Sequence, residues 1–162
     1  LDVDQNTGEA MKWYYKAAHA GYYLAQRTLG DLHQNGQSWW TGFPPLREQL
    51  EPGIFMQTDE AIYWYSLAAC QGDVVSQYQL GCVYIDEYEL VYDPKAAIAA
   101  HVWSSIAAKD NYKAAEANRR SIEKYFMNEQ RLKISNKLIK EWFATDKKEP
   151  YLPDTFRYSN MF

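Results

Sequence analysis

The sequence predicts an all-α fold, an α/α superhelix (solenoid) of stacked helical hairpins. Three observations predict it: a segment recurring at a fixed offset, apolar residues at helical spacing inside each copy, and Gly or Asn where each copy turns. Residues 10–30, AMKWYYKAAHAGYYLAQRTLG, align with residues 61–81, AIYWYSLAACQGDVVSQYQLG. Ala10 meets Ala61, Trp13 meets Trp64, Tyr14 meets Tyr65, Gly21 meets Gly72 and Leu29-Gly30 meets Leu80-Gly81, always at an offset of 51. A degraded third copy, AHVWSSIAAKDNYKAAEANRR, spans 100–120, with Trp103, the pair Ala107-Ala108, and Asn111 in the place of the glycines. Gly, and next Asn, best tolerates the left-handed backbone that closes a helix. Copies at such a period mark a repeat array, in which each hairpin buries its apolar face on its neighbour.

The elements follow in order. A helix from Gly8 to about Ala20 reads as the second half of a hairpin without its first half. Such a start exposes an apolar flank, so upstream sequence or another chain is expected to cover Trp13 and Tyr14. The next helix, Leu24 to about Gln34, places Ala25, Leu29 and Leu32 on one face. Gly30, like Gly81 later, permits close helix approach, which offsets glycine's cost of about 1 kcal/mol in a helix.

The segment 37–57 then interrupts the period. Trp13 and Trp64 are 51 apart but Trp64 and Trp103 only 39, so about 12 residues are inserted. The insertion carries Trp39, Trp40 and Phe43 beside Pro44-Pro45. Insertions in repeat arrays lie on one face, often the binding face, and adjacent tryptophans suit a buried contact. The loop either covers the array's own edge or recognises a partner, and the two are compatible.

Asp59 and Asp93 fall near the starts of the next second helices, where a carboxylate favours the positive helix end, and Pro94 follows at the first helical position. Between them runs a first helix from Val74 to about Asp86, with Leu80 and Val83 inward. Arg119-Arg120 replace Leu-Gly in the third copy and mark it as a capping hairpin. Its last helix, within 128–144, has Leu132, Leu138, Ile139, Trp142 and Phe143 on its apolar side. The chain is thus organised as one domain, 1–162: a partial repeat (8–21), a repeat with the inserted loop (22–72), a further repeat (73–111), the degenerate hairpin (112–144) and an aromatic tail (145–162). The tail, with Phe156, Tyr158 and Phe162, is too apolar to stay solvated. It is expected to pack on the last helix or into a partner.

Composition narrows the function classes. A net charge of −4 with scattered Lys and Arg lacks the field on which nucleic-acid binding depends. No apolar run approaches a membrane span. His19, His33 and His101 occupy different repeat positions, with no partner at metal-ligand or triad spacing. Asp86, Glu87 and Glu89 are placed in a loop, with no reason to be desolvated. No phosphate loop or nucleophile elbow occurs. No catalytic or metal-ligating residue is nominated and no cofactor is implied. Cys70 and Cys82 leave the redox compartment open and read as buried free thiols.

The pattern Ala-Gln-x-x-Leu-Gly at 25–30 and 76–81 (where Ser76 stands for the Ala) and Ala-x-x-Trp-Tyr-x-x-Ala-Ala at 10–18 and 61–69 resembles the Sel-1-like repeat family, relatives of tetratricopeptide repeats. His33 takes the usual Tyr position; the second copy keeps Tyr84 but loses the terminal Gly. The likeness covers about Gly8 to Ala144. It implies a non-catalytic scaffold that binds proteins or peptides, in which the first helix of each hairpin lines the concave surface. The residues there outside the repeat signature, Arg27, Asp31 and Gln34, then Tyr78, Cys82 and Ile85, are expected to specify a partner, together with Trp39, Trp40 and Phe43. In bacteria the resemblance implies a cytoplasmic or periplasmic adaptor for signalling or secretion, or an immunity protein that occludes a toxin. The cysteine-rich relatives, to which penicillin-binding or β-lactamase-like activity is ascribed, are the alternative. Their cysteines fall where this chain has Ala69 and Ser76, so that pattern is not met.

Overall fold

The computed structural model describes residues 3–34 and 55–145. Among them lie seven helices and no strand: α1 (Val3–His19), α2 (Tyr23–Gln34), α3 (Phe55–Cys70), α4 (Val74–Val91), α5 (Pro94–Lys109), α6 (Lys113–Tyr125) and α7 (Glu129–Ala144). The all-α hairpin class stands. The helix ends follow the sequence: Gly21, Gly72 and Asn111 take φ of 93°, 91° and 59°, each in the turn between a second helix and the next first helix. Asp93 caps α5 by accepting from Lys95 N, with Pro94 behind it, and Asn128 caps α7 through Arg131 N.

Two local expectations are corrected. Asp59 is not at a helix start, because α3 already begins at Phe55; residues 55–57 of the expected loop are therefore helical. Asp86, Glu87 and Glu89 lie on α4, not in a loop. The lost terminal Gly is the reason. With no glycine at the expected stop, α4 continues to Val91, shortly before Asp93-Pro94 open α5. Tyr92 closes it at φ 54°.

The chain divides into two compact units, residues 1–68 and 69–162, with the division in the last turn of α3. Hairpins of a repeat array touch only near neighbours, so cohesion is local.

In the first unit Ala18, Ala25, Leu29 and Trp64 form the core, flanked by Tyr15, Leu32 and Leu67. The Trp64 indole meets Tyr15 and His19 edge-on at 5.9 and 5.2 Å. In the second unit α4 packs on α5, α5 on both α6 and α7, and α4 also touches α6. Its core is rich in alanine (Ala96, Ala97, Ala100, Ala107, Ala115) around Leu80, Tyr84, Trp103 and Ile122. Small residues bring the backbones together, and Trp142 of α7 stacks edge-on against Trp103 at 5.1 Å.

The signature glutamines have a physical task. Gln26 donates its amide to Ala18 O at 3.0 Å, and Gln77 does the same to Ala69 O at 3.1 Å. Each gives a second hydrogen bond to a carbonyl at the end of the preceding helix that already accepts from the turn glycine, Gly21 N or Gly72 N. The third copy has Glu116 at this position, which cannot donate; it turns outward and binds Arg119 and Arg120 instead.

Candidate functional site

The expected partner-binding residues divide into three groups. Trp39, Trp40 and Phe43 lie outside the described residues. Arg27, Asp31 and Gln34 stand on α2, all half-buried. Asp31 Oδ1 and Gln34 Oε1 both lie 2.7 Å from the Tyr65 hydroxyl. A phenol has one proton to give; with it on Asp31, Gln34 contributes its amide group through the flipped orientation. These two side chains thus hold a fully buried tyrosine.

Tyr78, Cys82 and Ile85 stand on α4, also half-buried. Tyr78 and Cys82 meet residues of the next first helix. The Tyr78 ring lies 5.3 Å from that of Tyr112, which precedes α6. Asn118 of α6 directs its amide to Cys82 Sγ at 3.8 Å and to Ser104 Oγ at 3.1 Å. The Tyr78 phenol is pushed up to about 12, first by its hydrogen bond with the Cys82 thiol and then by charge repulsion from it. Burial raises the Cys82 thiol as well, against that same hydrogen bond. The sulfur is therefore kept protonated and is a poor nucleophile. Further along α4, the Asp86 carboxyl is raised by desolvation and by Glu89, although the residue is exposed overall.

The outcome is a face shared by α4 and α6, built of Tyr78, Cys82, Tyr112 and Asn118. Tyr112 and Asn118 were not nominated from the sequence. The register of the third copy could have found them: they stand 90 residues after Tyr22 and Thr28, the offset of Trp103 from Trp13. Neither cysteine is in a disulfide; Cys70 is buried and Cys82 only half-buried, so the pair is not equally enclosed.

Of the histidines, His19 is exposed, His33 half-buried and His101 buried. His101, fully buried, has Ser135 Oγ 2.6 Å from Nδ1 and Glu123 Oε1 3.0 Å from Nε2. Arg119 pairs with the same Glu123 oxygen. The spacing along the chain hid these partners, because α5, α6 and α7 each supply one. The set has the composition of a hydroxyl–imidazole–carboxylate triad, but Ser135 has no exposed surface from which to reach a substrate. It ties three helices together. His33 contacts Tyr15 Oη at 3.1 Å and Glu60 at 3.0 Å, which holds the Glu60 carboxyl below its ordinary range despite desolvation.

Among the described residues no group of three or more His, Cys, Asp or Glu is placed to hold a metal, and no helix is long and apolar enough to cross a membrane. Comparison with known families finds the Sel1 repeat at residues 1–22 and 53–73. These are the α1 and α3 segments that the offset of 51 pairs. No curated protein and no solved structure matches the chain.

Proposed function

We propose that this chain, a Sel1-repeat protein, is a non-catalytic scaffold that holds a partner protein on the face shared by α4 and α6. Sel1 repeats mediate protein–protein interaction. The observation that carries the placement is the meeting of Tyr78 and Cys82 with Tyr112 and Asn118 across two successive first helices. Tyrosines with a polar tip and an apolar body serve well as contact residues, since burying the ring contributes apolar area while the hydroxyl keeps a partner. Within this class the role is a bacterial adaptor or an immunity protein that blocks a toxin.

Affinity capture from a bacterial lysate tests the reading, with wild type beside Tyr78→Ala/Tyr112→Ala. A protein retained by wild type and lost from the double variant, both folded by circular dichroism, is the expected result. Identical captures would refute the placement. Growth rescue on co-expression with the captured protein, if that protein is toxic, separates inhibitor from adaptor.

A further inference from the structure

The α4/α6 face has one polar group whose direction is fixed from within. Asn118 Nδ2 lies where α4 crosses α5: a Cβ on Gly81 would stand 3.4 Å from it and would collide with Ser104 Oγ. Both amide hydrogens are used there, one on Ser104 Oγ at 3.1 Å and one toward Cys82 Sγ at 3.8 Å. Ser104 is fully buried, so the clamp is anchored in the core. With its nitrogen held at the crossing, the planar amide turns Oδ1 away from it, toward the open side of the face. That oxygen has no partner among the described residues and is not enclosed. It is an acceptor of fixed direction at the surface. A backbone N–H suits it. In a helix those groups are spent on the helix's own carbonyls, whereas an extended segment leaves them free to point outward.

The rest of the face lies on either side of this oxygen. One turn of α4 before Cys82, the Tyr78 and Tyr112 rings stand 5.3 Å apart. One turn after Cys82 comes Asp86, and Glu89 follows, so Tyr78, Cys82, Asp86 and Glu89 share one stripe of the helix. The stripe ends in charge of one sign. α4 carries Asp86, Glu87 and Glu89 and no Lys, Arg or His, and the sequence has none between Arg47 and Lys95. The cations on the neighbouring helices are engaged elsewhere. Arg119 is paired with Glu116 and Glu123, Arg120 with Glu116, and Arg131 bonds Phe126 O while lying over the Tyr88 ring. Neither Asp86 nor Glu89 has an ion pair among the described residues. Desolvation, and then repulsion from Glu89, push the Asp86 carboxyl up, as befits a charge without a counter-ion.

We infer that the α4/α6 face takes an extended, basic segment of a partner protein, with a main-chain N–H on Asn118 Oδ1, an apolar side chain on Tyr78 and Tyr112, and a Lys or Arg on Asp86 and Glu89. Such an occupant presupposes that this face is where the partner docks. The geometry also sets a spacing. Tyr78 and Asp86 are separated by about 12 Å along the helix, which an extended chain covers in about four residues. An even interval leaves both side chains on one side of the strand. The segment therefore carries its apolar and basic residues about four places apart.

Phage display of random dodecapeptides on the full chain supplies the probe. The most enriched peptide is synthesised with a label and titrated by fluorescence anisotropy. It should carry Lys or Arg about four places from an apolar residue, and Asp86→Asn/Glu89→Gln should weaken its binding about tenfold or more. N-methylation of one backbone position should weaken it as much against wild type, and should make no difference against Asn118→Ala, both chains being folded by circular dichroism. No enriched peptide, a peptide without a basic residue, or one indifferent to the acid variant overturns the proposal. So does a peptide that no single N-methyl group weakens, or whose sensitivity to it survives Asn118→Ala. Tyr78→Ala/Tyr112→Ala separates the occupant from the face. A peptide that binds this variant as tightly as wild type docks elsewhere, and the face falls together with its occupant. A peptide that loses it but ignores the acid and Asn118 variants keeps the face and refutes the basic, extended occupant.

Discussion

Gly30 lies under the ring of Tyr65 so closely that a Cβ built on it would stand 2.5 Å from Tyr65 Cδ1 and Cε1. The ring is fully buried and its hydroxyl is held by Asp31 and Gln34 on the same helix as the glycine, so it has no direction in which to yield. Glycine, ring and polar pair are one interlocking contact between α2 and α3.

Gly30→Ala is therefore expected to destabilise the protein. Overpacking costs about 1–3 kcal/mol, and the helix propensity gained returns about 1 kcal/mol, leaving a net loss of up to about 2 kcal/mol. Urea unfolding followed by amide exchange in α2 checks it. A neutral or stabilising result would show that the Tyr65 ring moves freely.

Tyr65→Phe removes the hydroxyl and keeps the ring. Asp31 and Gln34 are then deprived of it in a half-buried position, at a cost of about 1 kcal/mol. In a double-mutant cycle with Asp31→Ala, the coupling should account for most of that loss; additive effects would mean that the bond contributes little.

Ser135→Ala leaves His101 Nδ1 without its partner inside the α5–α6–α7 junction. A buried polar atom so orphaned costs about 1–3 kcal/mol. The melting temperature should fall, and amide protection in α7 should fall more than in α4. Equal protection in both helices would contradict the role assigned to this hydrogen bond.

Acid should loosen the end of the second unit by a defined route. The Glu116 carboxyl is lowered from the ordinary 4.5 to about 2, first by hydrogen bonds from Arg119 and Arg120. Glu123 is lowered as well, by His101 and Arg119 acting against desolvation. A carboxyl depressed on folding contributes stability above its unfolded pKa and loses that contribution as pH falls through the folded one. The Glu116 contribution is thus complete above about 4.5 and declines toward about 2. Carboxyl carbon NMR should place the Glu116 midpoint near the lower value, and Glu116→Gln should flatten the acid limb of the stability profile. An ordinary midpoint would show that the Arg pairs are absent in solution.

Much of this protein is determined by its sequence alone. The repeat register, the hairpin order, the left-handed turns at Gly21, Gly72 and Asn111, and the caps at Asp93 and Asn128 are all short-range matters of backbone sterics and local hydrogen bonds. So is the close approach that Gly30 and Gly81 imply. The candidate site was legible only in outline. Tyr78 and Cys82 could be nominated from their register, but their partners Tyr112 and Asn118 stand on another helix, and Asn118 is 36 residues from Cys82. Tertiary structure alone assigned Asp31 to Tyr65 and Ser135 to His101, each across 34 residues. Such pairings depend on which helix faces which, and no local propensity encodes that. It also decided how fully Trp64 and Tyr65 are enclosed, while Trp13 and Tyr14 are exposed as their place in the register predicts. The same motif occurs at both places. What differs is the neighbouring helix, because burial belongs to the contact and not to the residue.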